Sequence, residues 1–183
     1  MSVGCDVEID LVPRFRELPE FPEDAPTLAE NAAGKALHYS RFAQEIVFAD
    51  DSGLVVPALS GAPGVRSARY AGADASDAER VVKLLREMRD LSGEARSARF
   101  VCVIAAAQRG QTLAVLSGDV EGVIAKEPRG SAGFGYDPVF YFLKRGRTFA
   151  ELSEADKNEV SHRGKAFRKL IELLHPRSAH RAL

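Results

Sequence analysis

The stretch that most constrains this chain runs from Ile46 to Gly72, where four apolar residues, Ile46 to Ala49, lead straight into Asp50, Asp51, Ser52 and Gly53. A short apolar run bounded by a turn signal fits a strand buried on both faces. Ligands in open α/β sheets gather just beyond strand ends, so a strand that stops on two acids either delivers carboxylates to an edge or simply closes in a turn. Asp, Ser and Gly are ordinary turn residues, and this stretch alone favours the turn. The remainder of the chain has to decide between the two.

Upstream, Val3, Cys5, Val7, Ile9 and Leu11 alternate with Gly4, Asp6, Glu8 and Asp10, the period of a half-buried strand. Four prolines between Pro13 and Pro26 then forbid regular structure, leaving an acidic loop with Glu23 near its end. Thr27 and Glu30 form a capping box for a helix over Leu28 to about Phe42, with Asn31 and Lys35 on one face. By themselves Glu30 reads as a cap and Lys35 as a solvated lysine.

Downstream of the acids, Leu54 to Leu59 is a short apolar piece that Pro57 marks as an edge or irregular strand. Ser76 and Glu79 open a second capped helix with the apolar set Ala78, Val81, Val82, Leu85 and Met88. Arg99 to Ala107 and Thr112 to Val115 read as a hairpin around Arg109-Gly110, followed by a further strand over Gly118 to Ala125. A Gly-rich loop, Gly130 to Pro138, precedes the apolar strand Val139 to Leu143; its glycines have neither the dinucleotide nor the Walker spacing. Two helices close the chain, Glu154 to Asn158 and His162 to His175, with Ser153 and Ser161 as N-caps. The second opens with His162, Arg163 and Lys165 where the helix dipole favours acids, so these groups are either solvated or completed by an anion.

Hydrophobic residues make up 45% of the 183, enough for one domain with a packed core. A formal net charge of -1 gives no global basic field, which argues against nucleic acid or a membrane surface as partner. Cys5 and Cys102 lie far apart, and no signal-like or membrane-length apolar run precedes them, so a reducing cytoplasm is expected.

Taken together, several blocks resemble the inosine triphosphate pyrophosphatase family, the XTP/dITP diphosphatases. They are Thr27-Leu28-Ala29-Glu30-Asn31-Ala32 with Lys35, Ala49-Asp50-Asp51-Ser52-Gly53-Leu54, and Gly61-Ala62-Pro63-Gly64 with Ser67-Ala68-Arg69-Tyr70. Gly133-Phe134-Gly135-Tyr136-Asp137-Pro138 and Lys157-Asn158 with Ser161-His162-Arg163-Gly164 complete the series, in family order across nearly the whole chain. The resemblance implies a single α/β domain over residues 1–183, with a mixed, elongated central β-sheet flanked by helices and two lobes enclosing the active cleft. It implies hydrolysis of a nucleoside triphosphate carrying hypoxanthine or xanthine (ITP, dITP, XTP) to the monophosphate and pyrophosphate, with Mg2+ as cofactor. Glu23 and Asp50 would be acids at the metal site and Asp51 the base that activates water. Lys35 and Lys157 would meet phosphates, with Ser52 beside them. Phe134 would stack on the purine, and Tyr136, Asp137, His162 and Arg163 would surround its polar edge. Hard carboxylate oxygens suit magnesium, and two adjacent acids need a cation to stay ionised together.

Family members usually begin with a strand leading into a Thr/Ser-x-Asn-x-x-Lys motif and a helix, and here Val3 to Leu11 resemble the family's second strand. The expectation is therefore a chain lacking about 25 residues of strand and helix at its front, with a natural start upstream of Met1. A nucleotide-binding protein without turnover is the alternative function, and a chain with no stable fold a further one. A homodimer is expected by resemblance.

Overall fold

The computed structural model describes residues 8–174. Five strands pair in chain order to form one sheet: β1 (Val47–Val55), β2 (Ser97–Gln108), β3 (Gln111–Ile124), β4 (Phe140–Phe142) and β5 (Arg147–Thr148). All four neighbouring pairs are antiparallel. Helices α1 (Leu28–Tyr39), α2 (Asp77–Glu87), α3 (Glu154–Val160) and α4 (His162–Leu174) accompany them, giving the expected α/β class.

The strand that opened the sequence argument does not stop at its acids. Asp50, Asp51, Ser52 and Gly53 pair with Ile104, Val103, Cys102 and Val101, and β1 continues to Val55. The ladder against a β-rich neighbour outweighs the local turn preference of Asp, Ser and Gly. The expected strand over Leu54 to Leu59 is thus the end of β1 followed by a 3-10 turn at Pro57–Leu59. Likewise Thr112 to Val115 and Gly118 to Ala125 are one strand, β3, because the pairing with β2 runs unbroken through the intervening residues apart from one shift of register near Ala106. The turn joining β2 to β3 has positive φ at both Arg109 (50°) and Gly110 (77°), as a two-residue hairpin turn requires.

At the front, Glu8 to Leu11 form no strand; the rest of the alternating segment, Val3 to Val7, lies outside the described residues. Ile9 and Leu11 are exposed, so the described end of the alternating segment packs against no sheet among the described residues. Helix α1 ends at Tyr39 rather than Phe42. In α2 the buried stripe is Val81, Leu84 and Met88, with Leu85 at its margin; the expected Val82 is exposed, a phase error of one residue in reading the helix face.

The sheet carries different cores along its length. Toward the start of β2, Ala98 and Phe100 face a core shared with α2, β4 and the segment around Phe149, while Ser97 and Arg99 face solvent. Further along, both faces are covered. Val103, Ala105 and Ala107 pack on Ala32 and Ala36 of α1, whereas Cys102, Ile104 and Ala106 pack on Ala166 and Leu170 of α4. Each large apolar side chain buried this way contributes about 1.5–3 kcal/mol relative to exposure. Arg96, also buried, is held by carbonyls alone, donating to Met88, Leu91, Ile124 and Ala125 at 2.6–3.3 Å and tying the end of α2 to the end of β3.

Candidate active site

Successive strand residues point to opposite faces, so β1 sends Asp51 toward α1 and Asp50 toward α4. On the α1 side, Asn31 Nδ2 donates to Asp51 Oδ2 at 3.0 Å, and the Ser52 amide donates to Oδ1 at 3.0 Å. Asn31 is fully buried, and its own Oδ1 accepts the Ala25 N–H at 3.0 Å, so its amide orientation is fixed. One turn further along α1, Lys35 Nζ donates to Glu23 Oε1 at 3.0 Å. Burial raises the Asp51 carboxyl above its ordinary value; the Asn31 bond and Lys35 oppose this, and the Glu23 charge adds to it. No cation touches Asp51 directly among these contacts. It is a carboxylate held in place but not neutralised.

On the α4 side, Arg163 grips Asp50 Oδ2 through Nε at 3.0 Å and Nη2 at 2.7 Å. Ser52 Oγ lies 3.4 Å from the same oxygen, and the Cys102 thiol lies 3.9 Å away, its pKa pushed up to about 11 by burial and so inert near neutral pH. The start of α4 sits directly on Gly118 of β3, where a Cβ would meet His162 O at 2.3 Å and Ala166 N at 2.6 Å. Only glycine permits that approach, which sets His162 and Arg163 beside β1. His162 stacks on Phe100 with centroids 4.6 Å apart, and burial, then Arg163 and Lys157, lower its pKa to about 3. The imidazole is neutral near pH 7, and its buried Nδ1 has no hydrogen-bond partner among the described residues. The anion that completes the basic start of α4 in the free protein is thus Asp50, while Lys165 donates to Asp119 O at 2.6 Å.

A cleft of about 370 Å³ opens beside this helix start, lined by the Gly-rich loop and by Phe149, Lys157, Ser161, His162 and Arg163. Phe134 stands 63% exposed at its rim. Lys157 Nζ lies 4.6 Å from the centre of its ring and Arg163 Cζ 5.8 Å. Asp137, almost fully buried, accepts the Phe134 N–H at 2.8 Å and pairs with Lys157. A side chain at Gly133 would strike that carboxylate, since its Cβ would fall 2.1 Å from Asp137 Oδ2 with φ at +78°.

The chain that carries an acidic group facing one helix and an aromatic, cation-lined cleft beside another is similar to known proteins. The model of the Ham1 family matches residues 2–173. The chain belongs to the Ham1 family. It is 51% identical to the dITP/XTP pyrophosphatase of Geobacillus kaustophilus over 91% of this chain and 81% of the relative. Among solved structures it resembles a Ham1 protein from Coxiella burnetii, with a TM-score of 0.80 and 46% identity over 85% of this chain and 80% of the other. A third relative is the nucleoside-triphosphatase, or dITP/XTP pyrophosphatase, of Mycobacterium abscessus, with a TM-score of 0.73 and 40% identity over 87% and 81%.

Within this Ham1 chain the residues singled out from sequence fall into two groups. Glu23, Lys35 and Asp51 come together on the α1 side; Asp50, Ser52, Phe134, Asp137, Lys157, His162 and Arg163 gather toward α4 and the cleft. Two placements differ from expectation. Asp50 is not beside Glu23, because strand alternation turns it to Arg163. Tyr136 does not reach the cleft rim: it is buried in the α2 core, where its hydroxyl donates to Ser67 O at 2.9 Å.

The 3-10 turn Gly64–Arg69, whose role sequence reasoning missed, joins the two groups. The Ser67 hydroxyl accepts the Leu54 N–H of β1 at 2.9 Å and donates to Gly64 O at 2.7 Å, its carbonyl receives Tyr136, and Arg69 donates to Glu23 O at 2.7 Å. Asn31 was within reach of sequence reasoning, since it shares a helix face with Lys35; Ser67 gave no local signal.

Among the described residues no three His, Cys, Asp or Glu side chains assemble into a metal-binding group. Magnesium, however, is usually held by one or two carboxylates together with substrate phosphates. Glu23, a hard oxygen donor close enough to Asp51 for its charge to raise the Asp51 pKa, fits that mode.

Proposed function

We propose that this Ham1 chain hydrolyses nonstandard purine nucleoside triphosphates, namely dITP, XTP and ITP, to the monophosphate and pyrophosphate. The observation that carries the reading is Asp51: a half-buried carboxylate of raised pKa, held by a neutral amide beside the Glu23–Lys35 pair. Such a group is poised to take a proton rather than committed to a cation. Asp51 accepts a proton from water as the water oxygen bonds to the α-phosphorus; the bond from that phosphorus to its bridging oxygen breaks, and pyrophosphate leaves.

Glu23, with Asp51 nearby, would hold magnesium, which when bound offsets the charge of the triphosphate. Lys35 and Lys157 supply ammonium groups to the phosphates, and Phe134 supplies a face for the purine. Asp137, His162 and Arg163 line its polar edge. Donors there accept a 6-oxo group and leave an exocyclic amine facing a donor, which disfavours adenine. The proposal includes a cytoplasmic homodimer, for which light scattering of the purified protein is the check on assembly.

Incubation with dITP, XTP, ITP and ATP under magnesium tests the reading. Pyrophosphate from the first three with little from ATP supports it. Orthophosphate alone overturns it, and ITP binding with no turnover selects the binding-protein alternative.

A further inference from the structure

Asp77, the first residue of α2, lies outside the acidic pocket and the cleft, 57 positions before Phe134 in the chain, yet its Oδ2 accepts the Gly135 N–H at 2.6 Å. The neighbouring peptide is gripped in the same way, the Phe134 N–H being donated to Asp137 Oδ2 at 2.8 Å. The two amide planes that flank the Phe134 Cα are therefore each pinned by a carboxylate, one from its own loop and one from α2. With both planes fixed, the Cα–Cβ direction is fixed, and the ring is held out at the cleft rim although it is mostly exposed and has little packing of its own.

The grip on Gly135 is itself supported. Arg80 pairs with the other Asp77 oxygen and donates from Nη1 to Ala68 O and Ala75 O, both at 2.6 Å, which locks the Asp77 side chain against the turn Gly64–Arg69. Hydrogen bonding from Gly135 also holds the Asp77 carboxyl below its usual range, the sign of a charge-assisted bond.

We infer that Asp77 is the positioning residue for the Phe134 platform, fixing the ring that receives the purine from a helix that does not itself contact the cleft. The inference rests on the proposed function for its substrate, and on geometry alone for the platform.

The chain contains no tryptophan, so F134W installs a single fluorescent reporter at the platform. In that background D77A is expected to lower the anisotropy of the introduced indole and to raise its quenching by acrylamide about twofold. D77N keeps an acceptor for Gly135 and is expected to stay near the parent. In the otherwise native chain D77A should raise KM for dITP about fivefold, the size of one ordinary hydrogen bond lost from holding the ring, with kcat changed less than about twofold. D77N should recover most of that loss. Far-UV circular dichroism confirms the fold; if D77A does not fold, D77S, which suits a helix start but is too short to reach Gly135, replaces it. An indole signal unchanged by D77A overturns the inference. So does D77N behaving like D77A, because the charge at the helix start would then be responsible. If no triphosphate is turned over, the proposed function fails while the fluorescence still decides the role of Asp77.

Discussion

On the α1 side of β1, Asp51 is half-buried, fixed by an uncharged amide and a backbone N–H, and left with its proton affinity raised; on the α4 side, Asp50 is bonded twice by the Arg163 guanidinium. The two carboxylates differ by one position in sequence and share one strand. What separates them is the helix that each face meets: α1 presents Asn31, α4 presents Arg163. An acid surrounded by neutral donors keeps its capacity to accept a proton, whereas an acid that already balances a guanidinium serves to place that guanidinium. Chemical role here follows from the partner, not from residue type.

Replacing the two residues separately gives the sharpest test. D51N is expected to lower pyrophosphate release by about a thousandfold, within the range typical of losing a general base. Its melting temperature should hold or rise. The raised folded pKa means that the folded state binds the Asp51 proton more tightly than the unfolded chain, so Asp51 adds stability as pH falls through its folded value and costs stability at neutral pH. D51N removes that cost. Turnover above a tenth of wild type would end the case for Asp51 as base.

E23Q should raise the magnesium concentration for half-maximal activity about tenfold, as expected for losing a carboxylate donor from a site otherwise completed by substrate phosphates. A magnesium titration unchanged by E23Q would place the ion elsewhere. D50N should act on the other side of the strand, costing about 1 kcal/mol of stability in a urea melt, a modest figure because the Arg163 side chain is 46% exposed. If D50N silences the enzyme as fully as D51N with an unchanged melt, the distinction between the faces collapses.

At neutral pH the smallest effect is that of His162, whose titration acts only in acid. Its folded pKa is lowered to about 3 against an ordinary 6.5, so below about pH 6.5 the unfolded chain gains a proton that the folded chain refuses. Stability from this residue is complete above that pH and declines steadily toward pH 3. H162F keeps a ring for Phe100 and removes the titration, so the acid limb of its melting curve should be shallower than wild type. An identical limb would locate acid sensitivity in other groups.

Much of this was legible in the sequence because its signals are local. Thr27 and Ser76 announce their helices through caps that the structure retains, whereas Lys35, one turn after Asn31, reads locally as a solvated lysine and stands out only through the resemblance. The end of β1 was misplaced because Asp-Asp-Ser-Gly has a turn preference that only pairing with β2 overrides, and that pairing joins residues about fifty positions apart. The same distance hid the division of the acids. Strand alternation separates Asp50 from Asp51 once both are known to lie inside a strand, and it was the strand's extent that local reasoning lacked. Asp77 and Ser67 were silent for a related reason, since their partners Gly135 and Tyr136 are more than fifty residues away.

The turn Gly64–Arg69 touches β1 through Leu54, the Glu23 loop through Arg69 and the Gly-rich loop through Tyr136. Under the proposed function, water activation and base recognition would therefore be geared through one short piece of backbone. A substitution that shifts this turn would be felt in kcat and KM together, and selectivity could not be retuned there without also retiming the chemistry. Gly118 offers a separate handle, because it seats the start of α4 from β3 without passing through this turn.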